Sequence, residues 1–220
     1  MRKFIIVKIL ALLLILSSFT LFGCEKKSTL LPFVSEYRSN VFEGKSDNFE
    51  LKAYYGYKET PYLNDAKVEN YYHELTFILK GNILENASYS IEVCDNNETI
   101  PFERSNNGLI KARYRVKDFT KESFRVNIIS SSSREEITLK TILPKNTLLL
   151  NSILLSLEKK EAVLINSYYV NAEFNAEIHA RVLVKNEKPY WYIAFLNGKT
   201  LKAFLVDGIS GEVLAIREVI

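Results

Sequence analysis

The sequence predicts an all-β sandwich domain followed by a small α+β domain, in which one helix lies across an antiparallel meander sheet. Three observations lead there. Between about residues 36 and 145, short runs alternate apolar and polar residues and are separated by polar turn clusters. After Pro144-Lys145-Asn146, the residues Leu150, Ile153, Leu154 and Leu157 fall at helical spacing. From Ile178 the alternation returns as a meander, with Asn197-Gly198 as a strong hairpin signal.

Taken in order, Phe49, Leu51, Ala53, Tyr55 and Tyr57 form the first alternating run, and Leu75, Phe77 and Leu79 the next. Tyr89, Ile91 and Val93 follow, then Ile110, Ala112, Tyr114 and Val116. Phe124, Val126 and Ile128 precede Ile137, Leu139, Thr141 and Leu143. Lys80-Gly81-Asn82, Asp95-Asn96-Asn97, Ser105-Asn106-Asn107-Gly108 and Ser130 to Ser133 are the turn-rich breaks. Strands that each carry one apolar face need a second sheet to cover it, and an antiparallel sandwich of immunoglobulin-like architecture meets that need. The Cys…Trp…Cys core of antibody domains is absent.

In the second region, residues 146–220, Asn146 or Thr147 is placed to cap the helix, with Glu158 to Glu161 on its polar side. Val163 to Val170 suits either a continued helix or a strand. Ile178, Ala180, Val182 and Val184 then alternate, and Asn186-Glu187-Lys188-Pro189 turns the chain. Trp191, Ile193 and Phe195 share one face of the returning strand, which the helix is expected to cover.

The net charge of +3 is misleading. Arg2, Lys3 and Lys8 precede Cys24 and no acid does, so of 29 basic and 26 acidic side chains the remainder keeps 26 of each. A near-neutral body argues against a nucleic-acid partner. Charge is concentrated locally instead. Lys111, Arg113, Arg115 and Lys117 lie on one face of a strand, a basic stripe about 20 Å long. Such a stripe suits anionic headgroups or wall polymers. Its alternative is a solvated face paired with cross-strand acids, or edge protection. The tyrosines around Tyr54-Tyr55-Gly56-Tyr57, Tyr62 and Tyr71-Tyr72-His73 fall half on inward positions, which favours packing over ligand stacking.

At the N-terminus, Met1-Arg2-Lys3 is a positive n-region and Phe4 to Phe19 an apolar h-region. Leu21-Phe22-Gly23-Cys24 closes the run and resembles the bacterial lipobox, with Leu21, Gly23 and Cys24 carrying the match. The resemblance implies a lipoprotein signal peptide at 1–23, a diacylglycerol on the Cys24 thiol, and a location on the extracytoplasmic face of the cell membrane. Two acyl chains, at about 0.8 kcal/mol per buried methylene, anchor stably where one is marginal. Lys8 within the run and the closing Gly-Cys disfavour an uncleaved membrane span. Residues 24–35 then read as a polar tether. Lipidation of Cys24 leaves Cys94 without a disulfide partner, as a buried inert thiol.

Trp191-Tyr192-Ile193-Ala194-Phe195 and Phe204 to Leu214 resemble the aromatic strand and closing hairpin of the PepSY family (peptidase propeptide and YpeB domains). That hairpin ends in Asp-Ala-x-Thr-Gly-Glu, matched here by Asp207, Gly211 and Glu212, with Gly208 and Ser210 replacing the commoner Ala and Thr. The resemblance implies inhibition or chaperoning of peptidases, or a stand-alone interaction role. Asp207 and Gly211 also suit a turn on local grounds, because Asp bonds turn amides and Gly accepts positive φ.

Catalytic chemistry is not legible. The sequence lacks His-Glu-x-x-His, Gly-x-Ser-x-Gly, phosphate-loop and dinucleotide motifs. Its two histidines, His73 and His179, stand far apart, so no metal, cofactor or catalytic residue is expected. The leading expectation is a non-enzymatic binding module, with an envelope peptidase as partner. A solute- or wall-fragment-binding lipoprotein is second, and a wall-modifying enzyme third.

Overall fold

The computed structural model describes residues 26–61, 67–93, 98–198 and 200–219. Strands dominate them, at 58% against 11% helix, so sheets supply the framework that the helices pack on. In chain order the first region holds β1 (Val34–Lys45), β2 (Phe49–Glu59), β3 (Tyr71–Gly81), β4 (Tyr89–Val93) and β5 (Glu98–Pro101). It continues with β6 (Glu103–Arg104), β7 (Ile110–Val116), β8 (Ser123–Ser130) and β9 (Arg134–Thr141). Helices α1 (Leu150–Lys160) and α2 (Ala162–Ser167) follow, then a small hairpin of β10 (Tyr169–Val170) and β11 (Glu173–Phe174). The meander is β12 (Glu177–Lys185), β13 (Lys188–Asn197), β14 (Thr200–Asp207) and β15 (Val213–Val219).

The first region is sandwich-like. One leaf runs β1-β2-β3-β7, and the other runs β5-β4-β8-β9. Phe42, Leu51, Leu75 and Phe77 from the first leaf share a core with Ile91, Val126, Ile128 and Leu139 from the second. Each full burial of such a side chain contributes about 1.5–3 kcal/mol. The second core lies between the meander and the helices. Leu150, Ile153, Leu154 and Leu157 of α1 meet Ile178, Ala180, Val182, Trp191, Ile193 and Phe195. The helical spacing read from the sequence therefore selects the buried stripe of α1.

The two regions are not separate beads. Strand β1 pairs along its length with β2, antiparallel, from Glu36↔Lys58 to Lys45↔Glu50. Its other edge is divided. Val34 to Arg38 pair in parallel with Ile178 to Arg181 of β12, and Phe42 and Glu43 pair with Thr141 and Lys140 of β9. Register breaks between Val34 and Glu36 and between Arg38 and Asn40 accompany this change of neighbour. The result is a continuous sheet, β15-β14-β13-β12-β1-β2-β3-β7-β6.

Two expectations need correction. The tether placed at 24–35 does not extend that far, because residues 28–33 dock on α1 and β1 begins at Val34. The Ser28 N–H donates to Asn151 Oδ1 at 2.8 Å, and the Thr29 amide and hydroxyl both donate to Glu158 Oε1 at 2.8 and 2.6 Å. Leu30 is wholly buried in the second core, and Phe33 packs on Phe174 with centroids 4.6 Å apart. The apolar content of Leu30-Leu31-Pro32-Phe33-Val34 outweighs the polar residues before it. The second correction is the cap of α1. Neither Asn146 nor Thr147 caps it, since Leu149 occupies that position without a side-chain bond. Thr147 instead closes a turn on the Pro144 carbonyl, its amide at 3.0 Å and its hydroxyl at 2.6 Å.

Replacing Leu30 with alanine is expected to cost about 2–5 kcal/mol, the range for truncating a buried leucine. Urea unfolding of Leu30→Ala checks this, and an unchanged midpoint would return residues 28–33 to a tether.

Candidate functional site

The face of the sheet turned away from the helices carries the polar chemistry. On β12, Ile178, Ala180 and Val182 point into the second core, so the alternating residues His179 and Arg181 point the other way. Register aligns them with the neighbouring strands. Arg181 lies opposite Arg38, Arg38 opposite Gly56, Gly56 opposite Glu74, and Glu74 opposite Arg115. This row crosses β12, β1, β2, β3 and β7 and ends in the basic stripe. The sequence does not announce it, because its members come from distant segments.

Gly56 is the narrow point of the row. A Cβ there would lie 1.9 Å from the Tyr37 carbonyl oxygen and 2.9 Å from Arg38 Cα, so the bulged β1 approaches too closely for any side chain. Around it lies a shallow groove of about 30 Å³, bordered by Glu36, Arg38, Tyr54, Lys58 and Glu74. That volume is about one water molecule's share of liquid water.

Most charges in the groove are matched. Arg181 Nε and Nη2 each donate to a different oxygen of Glu36 at 2.9 Å, a bidentate pair. Burial alone would raise the Glu36 pKa, but the bonds and charge of Arg181 outweigh it and hold the carboxyl below its ordinary value. Lys58 Nζ sits 3.0 Å from Glu74 Oε1, and Arg38 lies 3.9 Å over the Tyr54 ring. His179 stands 3.8 Å from Glu177, and burial lowers its pKa against the opposing pull of Glu36. It is therefore neutral at pH 7.

The stripe differs. Arg113, Arg115 and Lys117 are exposed and Lys111 is half-buried. The acid directly opposite Arg115 is Glu74, which already binds Lys58. Arg115 instead lies 4.4 Å over the Tyr72 ring. Among the described residues, Lys111, Arg113, Arg115 and Lys117 make no ion pair, so the cross-strand neutralisation considered from the sequence is not realised.

The tyrosines pack. Tyr37, Tyr57, Tyr71 and His73 form a chain of ring contacts 4.9 to 6.0 Å apart, and Tyr37 stacks parallel on Trp191. Burial, with a smaller push from Tyr55, raises the Tyr37 hydroxyl to about 12. Tyr55 lies 2.9 Å from His73 Nδ1 and donates to Asp118 at 3.2 Å, which occupies His73 within this cluster.

The turn at Asp207 to Glu212 serves the fold locally. Asp207 Oδ1 accepts from the Ile209 and Ser210 amides at 2.9 and 2.8 Å and from the Ser210 hydroxyl at 3.2 Å. These bonds, the Ser210 amide first, lower the Asp207 pKa. Gly211 has φ +71°, and its carbonyl accepts from Ser156 Oγ at 3.0 Å and Lys160 Nζ at 3.3 Å, which ties the hairpin to α1. Glu212 is exposed.

Leu21, Gly23 and Cys24 lie outside the described residues, as do Tyr62 and Cys94. Among the described residues, no group of three or more His, Cys, Asp and Glu side chains could hold a metal ion. No helix among them is long and apolar enough to cross a membrane. No known protein family, curated protein or solved structure matches the chain.

The pKa directions fix how stability varies with acidity. The folded pKa of His179 lies below its ordinary value of 6.5, so the unfolded chain takes the proton first. Stability is therefore expected to be full above pH 6.5 and to fall as pH drops from there towards the folded pKa. Glu36, also depressed, adds a second loss below its ordinary 4.5. Chemical denaturation across pH should resolve both limbs. His179→Gln should abolish the upper one, and an unchanged upper limb would refute this assignment.

Proposed function

We propose that the chain is a bacterial lipoprotein, anchored through Cys24 to the outer face of the cytoplasmic membrane, whose folded body is a non-enzymatic binding module for a protein partner. The observation that carries the anchor is Leu21-Phe22-Gly23-Cys24 at the close of an apolar, n-region-led segment. The body's position follows from the anchor. With 28–33 docked on α1, few residues separate Cys24 from the folded surface, so the body sits close to the lipid.

The second region is read as PepSY-like. In support, α1 covers an antiparallel meander, and the Asp207 to Glu212 hairpin docks back on α1 through Ser156 and Lys160. A peptidase of the envelope is the partner class this reading brings. Binding is favoured over catalysis because Asp207 is consumed by its own turn and Glu36 is held by Arg181. At the tyrosine-rich face beside Gly56, small-solute capture is disfavoured, because the groove there falls far short of the roughly 300 Å³ at which ligand pockets begin.

Metabolic labelling with a radioactive fatty acid tests the anchor. Wild type should incorporate label and partition with membranes, while Cys24→Ser should do neither. Equal labelling of the two would refute lipidation at Cys24.

A further inference from the structure

The chain bridges the two leaves of the sandwich where it passes from β5 to β6. Ser90↔Pro101 keeps the end of β5 in the second leaf, and the Phe102 amide donates to the Tyr89 carbonyl at 2.9 Å, still on that side. The next two residues belong to the first leaf, through Glu103↔Lys111 and Arg104↔Ile110 of β7. A tight turn fixes this register. The Gly108 amide donates to the Ser105 carbonyl and the Ser105 amide to the Leu109 carbonyl, both at 2.8 Å, and Gly108 takes φ +77°.

The corner so formed holds a cleft of about 280 Å³, with Arg104, Lys111 and Arg113 in its walls. Residues opposite each other on paired strands share a face, and successive residues alternate. Glu103, Lys111 and Arg113 therefore project on one side of the β6–β7 pair and Arg104 on the other, so the cations reach the cleft from different directions. Among the described residues, none of these three cations makes an ion pair, and Glu103 makes none with Lys111 directly opposite it. Ile100, Pro101 and Ala112 supply the apolar wall. The Ser105 hydroxyl is engaged by the Leu109 carbonyl at 2.8 Å.

Each feature selects part of a ligand. Three cations that approach out of one plane match a tetrahedral phosphate better than a carboxylate, whose two oxygens are coplanar. A carboxylate without an ion pair accepts hydrogen bonds from hydroxyl groups. The volume is about nine times one water molecule's share of the liquid, room for a unit of about ten non-hydrogen atoms. We propose that the cleft binds a polyol phosphate, its phosphate held by Arg104, Lys111 and Arg113 and its hydroxyls by Glu103. From the cleft the stripe continues through Arg115 to Lys117 in steps of about 6.6 Å, so a chain of such units joined by phosphodiesters can run along it. The site uses side chains alone, and it rests neither on the lipid anchor nor on a protein partner. A lipid headgroup and a soluble polymer offer the same chemistry.

The test titrates the full-length protein, in a non-ionic detergent, with glycerophosphoglycerol, a phosphodiester between two glycerols, and follows binding by phosphorus NMR line broadening. The probe should bind at millimolar concentration or below, and glycerol 3-phosphate should displace it while glycerol and glutarate do not. Arg104→Gln/Arg113→Gln, checked for fold by far-ultraviolet dichroism, should weaken binding by about tenfold or more. Glu103→Ala should narrow the preference for glycerol 3-phosphate over inorganic phosphate. A soluble chain of several glycerol phosphate units should bind more tightly than the probe and lose that gain in Arg115→Gln/Lys117→Gln. Stronger displacement by mixed micelles containing phosphatidylglycerol than by the chain would uphold the site and make the lipid headgroup its source. Displacement by glutarate or by a glutamate-rich peptide as readily as by glycerol 3-phosphate would overturn phosphate recognition. So would unchanged binding in Arg104→Gln/Arg113→Gln, or no binding at millimolar probe.

Discussion

Strand β1 has two neighbours along one of its edges, and the architecture depends on how that edge is divided. Its first residues run parallel to β12, and its later ones turn to β9. A single straight strand cannot serve both, because the two neighbours approach from different leaves. The register breaks before Glu36 and after Arg38 supply the bend. Gly56 supplies the clearance on the opposite side, where β2 passes within a distance that excludes a Cβ. The parallel pairing is itself notable, since in this chain the crossover between β1 and β12 is the rest of the sandwich and both helices.

Because β1 belongs to both regions, the cores meet through it. Val34 and Val41 belong to the helix-covered core, while Phe42 is buried in the sandwich. The docking of 28–33 on α1 extends the same coupling, since the segment that fastens to the helix continues directly into β1. The polar row from Arg181 to Arg115 is a by-product of this joint: it exists only because β12 and β1 stand side by side. Inside the row, pairing is local and nearly complete, with Glu36 taken by Arg181 and Glu74 by Lys58. The second of these pairs leaves Arg115 with an aromatic ring rather than an acid, so unmatched positive charge gathers at the β7 end. Among the described residues, the fold thus gathers unmatched positive charge on one strand.

Much of the local structure is legible in the sequence because one physical signal determines it. The alternations at Phe49, Leu75, Ile110 and Ile178 each mark a strand with a single buried face, and α1 buries the residues its spacing selects. The turn at Asn186-Glu187 is made with positive φ at both residues, as a tight hairpin between β12 and β13 demands. Strand β1 is not legible. Its sequence, Val-Ser-Glu-Tyr-Arg-Ser-Asn-Val-Phe-Glu-Gly-Lys, has no steady alternation, because each bulge shifts which residues face which layer. The same obscurity hides the docked segment before it, whose polar start masks Leu30 and Phe33. The basic stripe is visible as a pattern, but its lack of acidic partners follows from cross-strand register, which no local window contains. The role of Gly56 likewise depends on Tyr37, a residue from the strand that escapes prediction.

Sharing β1 is expected to make the two cores one cooperative structure. Trp191, the sole tryptophan, lies in the helix-covered core, stacked on Tyr37 of β1. Ile128 is buried in the sandwich, and Ile128→Val should destabilise by about 1 kcal/mol. Urea unfolding of this variant, followed by Trp191 fluorescence and by far-ultraviolet dichroism, compares the two regions directly. A shared strand predicts that both signals move to the same lower midpoint. A Trp191 transition that stays at its wild-type midpoint while the dichroism shifts would show two independent cores and contradict it.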